Sequence, residues 1–193
     1  MAVSNLLLDR VSESVRAGDF PLFMAVEWDH GAAEAWRTHS NARAMVRVLA
    51  YVDRMLAVRA ACACARRSLV HVPADEHRSI RAIEAAEAWC LGESTKDDCL
   101  SAATEAHHAA SVVYVTPAAY AVLAAGYAAD ATWSADCAVS AVAYAFYAAD
   151  AAALGAASVV DLMRMLADAV RSVVPVPPTS MEIAAACAAW RAA

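Results

Sequence analysis

The chain has 193 residues, a formal net charge of −6 and a hydrophobic fraction of 61%, with only 5 Gly and 6 Pro. That length fits one domain able to bury a core of its own, so the 6 cysteines are not needed as staples. The negative balance weighs against general nucleic-acid binding, which depends on neutralising phosphates with basic surface.

Alanine accounts for most of the apolar excess, and it is the best helix former because it loses no side-chain entropy. Residues 4–17, "SNLLLDRVSESVRA", read as a short amphipathic helix ended near Gly18. Its three leucines meet a charge pair too soon to form a secretory h-region, so the expected location is cytoplasmic and the thiols free. "GDFPLF" is a turn, followed by an irregular link that holds Trp28, Asp29 and His30. A tryptophan among charges on such a link suits a contact anchor. A short helix over "AAEAWRTHS" comes next.

Residues 41–72 read as one long helical stretch, stopped by Pro73. Spacings of four and seven predict Arg43, Arg47 and Arg54 on one face of it. Within the same stretch, Cys62 and Cys64 are two residues apart. That is about 200° around a helix, so they point to nearly opposite sides and cannot clasp one metal ion. Arg37, Arg59, Arg66 and Arg67 extend the basic character, against Asp53 alone. Residues 75–105 are mainly acidic, with Glu84, Glu87, Asp97, Asp98 and Glu105 among them. Either the two regions lace together as ordinary surface pairs, or one face meets an oppositely charged partner protein.

"SIRAIEAAEAWCLG" is a helix with Gly92 at its left-handed cap. Ser94 or Thr95, followed three residues later by an aspartate, starts the next helix as a capping box. That helix carries His107 and His108, which diverge by about 100° and so place one histidine at the surface and the other at a helix seam. Thr116 and Pro117 open a helix predicted to run to about Asp150, with Gly126 as a kink. Residues 109–160 carry only Asp130, Asp136 and Asp150 as charges, and a helix apolar all round is a buried one, so this helix is expected at the centre. It is not expected to span a membrane, because Pro117 interrupts it and no Lys or Arg lies between Lys96 and Arg164. Trp36, Trp89, Trp133 and Trp190 are expected in the core. "SVVDLMRMLADAVRSVV" is a further amphipathic helix, "PVPP" a rigid loop, and Thr179 with Glu182 caps a last helix. No stretch alternates polar and apolar residues over strand length. The expectation is a single all-α domain over 1–193, an alanine-rich bundle of about seven to nine helices.

Residues 61–110 hold Cys64-Ala65-Arg66-Arg67, Arg78, Ala82-Ile83-Glu84-Ala85, Ala88-Trp89 and Gly92-Glu93. This block resembles the Imm-5-like family of bacterial immunity proteins, departing from it at Ser79 and Ile80 and lacking its later histidines. The resemblance implies an all-α bundle and neutralisation of a cognate toxin.

No Gly-rich phosphate loop or serine nucleophile elbow is present, and no acid partner stands at catalytic spacing from a histidine. The leading expectation is therefore a non-catalytic protein that masks a partner protein, with no metal or cofactor. Its contact is expected on Trp28, Asp29 and His30 together with Arg43, Arg47 and Arg54. One alternative is a structural or phage-type accessory protein that self-associates. A third reading is a thiol- or metal-dependent enzyme using Cys64, His71, Cys90 and His108.

Overall fold

Local capping chemistry sets most helix boundaries in the computed structural model, which describes residues 36–112, 116–153, 158–176, 178–179 and 181–182. Helix α1 spans Ala42–Val52, and the Asn41 side chain accepts the Ala44 N–H at its start. Asp53 then adopts an extended backbone, ends α1, and accepts the Met55 N–H at 2.7 Å to start α2, Arg54–Ser68. The stretch 41–72 is thus two helices rather than one, closed by a 3-10 turn at Leu69–His71. The carboxylate supports the break by accepting an orphan N–H of the new helix.

Helix α3 spans Arg78–Leu91 and ends at Gly92, which has φ 77°. Its left-handed turn lets Gly92 N–H reach Trp89 O and Glu93 N–H reach Ala88 O. Helix α4, Lys96–Val112, starts with the expected reciprocal cap: Thr95 N–H donates to Asp98 Oδ2 at 2.9 Å, and Asp98 N–H to Thr95 Oγ1 at 3.2 Å. Thr116 caps α5, Pro117–Asp130, with proline in the first turn. Ser158 caps α7, Val159–Val173.

The helix from Pro117 does not continue to Asp150. It stops at Asp130, turns through residues 131–134, and resumes as α6, Ala135–Ala153. Gly126 lies mid-helix, with no break there, where a Cβ would stand 2.8 Å from the His107 ring. The Thr179–Glu182 cap also forms, with Thr179 N–H donating to Glu182 Oε2 at 2.7 Å.

Among the described residues one hydrophobic cluster draws on each of the helices α1 to α7. Helix α5 is packed by α2, α3, α4 and α6 and buries 8 of its 14 residues, mostly alanine, as expected for a central helix. It shares that place with α2, which touches α1, α3, α5, α6 and α7. Alanine surfaces let such neighbours approach at the short end of the usual 8–10 Å range. Trp36 is buried, and its indole N–H donates to Val174 O at 3.1 Å. Trp133 departs from expectation, being 48% exposed over the α5–α6 turn, with its indole N–H on Lys96 O. Trp190 lies outside the described residues. Among those residues every regular element is helical, and no helix is long and apolar enough to cross a membrane.

Candidate functional site

The expected contact face is divided by the break at Asp53. Arg43 and Arg47 stay four apart on α1, Arg43 exposed and Arg47 half-buried. Arg54 belongs to α2, and its Nη1 donates to Trp133 O at 3.3 Å, so the three arginines do not share one helical face. Trp28, Asp29 and His30 lie outside the described residues.

The fold brings a different set of arginines together. Helix α2 is buried on most sides and reaches solvent along a stripe that includes Met55, Leu56, Arg59, Ala63, Arg66 and Arg67. Spacings of four, seven and eight keep these side chains on one side of a helix. Helices α3 and α7 flank this stripe and leave a groove of about 720 Å³ above it. Cys90 and Leu91 form the α3 wall with Glu87, and Ala169, Ser172 and Val173 form the α7 wall. Apolar side chains thus make up much of the floor and walls, with guanidinium groups set among them.

Those guanidinium groups differ in what holds them. Arg66 makes a two-pronged pair with Glu87, Nε to Oε1 at 2.8 Å and Nη2 to Oε2 at 2.6 Å. This links the basic helix to the acidic one as a surface pair does, and Arg81 with Glu105 repeats the arrangement between α3 and α4 at 2.6 Å. Arg59 and Arg67 make no ion pair among the described residues. They stand eight residues apart, about 12 Å along the helix, at the two ends of the stripe. The groove therefore offers two available cations across an apolar floor.

The thiols nearby are held in their protonated form by burial. Burial pushes the Cys90 thiol up to about 11, against a smaller opposing pull from Arg59. Burial holds Cys64 at about 12, and its Sγ faces Leu166 O on α7. Cys62 is raised as well and points the other way, toward Ile83 O on α3. The opposed directions predicted for this pair are the ones found. A thiol held this high is not the thiolate that attacks or ligates. Of the residues of the enzyme reading, Cys64 faces α7, Cys90 the groove and His108 solvent, while His71 lies in the 3-10 turn after α2. Among the described residues no three His, Cys, Asp or Glu side chains are placed to hold a metal ion.

His107 is the half-buried member of its pair, and its Nε2 meets Asp130 Oδ2 at 2.8 Å. The ring lies over Gly126, with Tyr127 edge-on at 4.8 Å between centroids. Tyr127 keeps its proton, since burial raises it. The pair reads as a clasp between α4 and α5. Sequence spacing does not reveal it because Asp130 lies 23 residues from His107; the available signal is a glycine in an alanine-rich helix, where a large side chain from a neighbour needs room.

Protein-family models, curated proteins and solved structures were compared with the chain, and none matches.

Proposed function

We propose that the protein is a non-catalytic binding protein whose groove over α2 takes an acidic, partly apolar segment of a partner protein. The observation that supports this is the pairing of Arg59 and Arg67 with an apolar floor, 12 Å being roughly the rise of two helical turns. A partner helix with carboxylates seven or eight residues apart, and apolar residues between them, matches both features in the helix-in-groove manner. Binding would mask the segment by contact and charge, with no bond made or broken. The masking of a toxin is the particular form that the resemblance to Imm-5-like immunity proteins suggests.

The test is affinity capture from the lysate of the encoding organism, comparing the native chain with two charge-reversed variants. Capture of one stoichiometric protein is expected at low salt, lost at high salt, and lost in Arg59→Glu/Arg67→Glu. Arg43→Glu/Arg47→Glu is expected to retain it. A folded groove variant that captures the same protein as the native chain overturns the assignment. Loss in the α1 variant alone would move the contact to that helix.

A further inference from the structure

Four of the six tyrosines stand together on the α5–α6 hairpin, away from the groove. Tyr127 and Tyr144 stack with centroids 5.0 Å apart and planes within 3°. Tyr120 lies 6.3 Å from Tyr144 and 5.8 Å from Tyr147, and Tyr144 lies 6.0 Å from Tyr147. Seven residues separate the two on α5 and three separate the two on α6, so each helix contributes one face. Tyr147 is 46% exposed and the other three are half-buried. In a hairpin otherwise built largely from alanine, this is a continuous aromatic surface.

The charged residues of α5 and α6 themselves are all aspartates. Asp130, whose Oδ2 already meets His107, follows Tyr127 by three residues, and Asp150 follows Tyr147 by three, so Asp150 is the carboxylate one turn beyond the exposed ring. The sequence holds no Lys or Arg from residue 97 to residue 163. The one lysine, Lys96, lies over a different ring, 5.5 Å from the Trp133 centroid. The tyrosine faces, negative by their quadrupole, thus lie beside carboxylates, and among the described residues no Lys or Arg stands over them.

We propose that this tyrosine face is a second interaction surface and that its occupant is an arginine-bearing segment of a partner protein. A guanidinium is planar and weakly hydrated, so it stacks on a tyrosine ring while its edge donates to a neighbouring carboxylate. A lysine ammonium is compact and strongly hydrated and gains less from the same rings. Nucleic-acid bases also stack on tyrosine, but the surrounding carboxylates repel the phosphates that come with them. The proposal stands on the rings and charges of α5 and α6 and does not depend on the groove.

A short blocked peptide of alternating glycine and arginine, and its lysine counterpart, are the probes. Each is titrated into the full chain at low salt, with tyrosine ring resonances as the readout. The arginine peptide is expected to bind more tightly, by up to about fivefold, the worth of one whole exposed cation–π contact. Tyr147→Leu is expected to bring that ratio to about one, and Tyr147→Phe to preserve it. Because Tyr147 is half-exposed, both variants are expected to keep the native thermal midpoint. Equal affinities in the native chain overturn the proposal, as does a preference that survives Tyr147→Leu. If the native chain alone associates at low salt, and both the arginine peptide and Tyr147→Leu abolish this, the surface is supported and a second copy's arginines are its source.

Discussion

The contact between His107 and Gly126 shows how one missing carbon organises a seam. A Cβ at residue 126 would meet the His107 ring at 2.8 to 3.1 Å. Gly126→Ala therefore brings two opposed effects. Helix propensity favours alanine by about 1 kcal/mol, while overpacking costs about 1–3 kcal/mol and displaces the imidazole from Asp130. A net loss of stability of about 1–2 kcal/mol is expected from urea unfolding. In a His107→Ala background the clash is gone, and the same substitution is expected to stabilise. A stabilising effect in both backgrounds would show that the ring moves aside freely. His39 provides a second residue-scale expectation. Burial lowers its pKa, with a further push from Arg171, so the folded state resists the proton that the unfolded chain accepts near 6.5. Stability is then full above that value and falls as pH drops below it. The thermal midpoint of the native chain should decrease between pH 7 and 5.5, and His39→Gln should show a smaller decrease. Equal decreases would assign the pH dependence to other groups.

At the scale of elements, what the sequence discloses depends on how local the cause is. The Gly92 terminus, the Thr95–Asp98 box, the Thr116–Pro117 start and the Thr179–Glu182 cap are all readable, because each is made by residues within three or four positions of one another. The two breaks that went unforeseen, at Asp53 and over residues 131–134, contain neither glycine nor proline. Asp53 looks like one acid within a helical run, and nothing in its immediate neighbours marks it as the point where the run divides. The expected arginine face failed with that break, since a face carried across residue 53 assumes a continuous helix. The groove was half legible: Arg59, Arg66 and Arg67 stand out as charges, but the gap between α3 and α7 that frames them is tertiary. Asp53→Ala is expected to cost about 1 kcal/mol as a lost N-cap, with Asp53→Asn close to native, both by chemical unfolding. If alanine costs nothing, α1 and α2 are separated by packing alone and the carboxylate is incidental.

The whole molecule carries its charges unevenly. Seven arginines lie between residues 37 and 67, and no Lys or Arg lies between 97 and 163. Helix α2 turns its buried sides to α5 and α6, so the groove stripe faces away from the acidic tyrosine hairpin. A body of net charge −6 with evenly spread charge repels its copies, and added salt weakens that repulsion. A body with an arginine-rich face and an acidic aromatic face behaves in the opposite way, because copies can approach with unlike faces together. Such a contact joins different surfaces and does not close on itself unless the rotation permits, so it yields weak open association rather than a fixed dimer. Static light scattering should therefore show attraction at low salt that fades as salt rises past about 0.1 M, where the screening length is about 10 Å. Arg59→Glu/Arg67→Glu should convert this to repulsion that is strongest at low salt. A native chain that is repulsive at low salt would mean that its faces do not recognise each other, which leaves the groove and the tyrosine surface for partners other than itself.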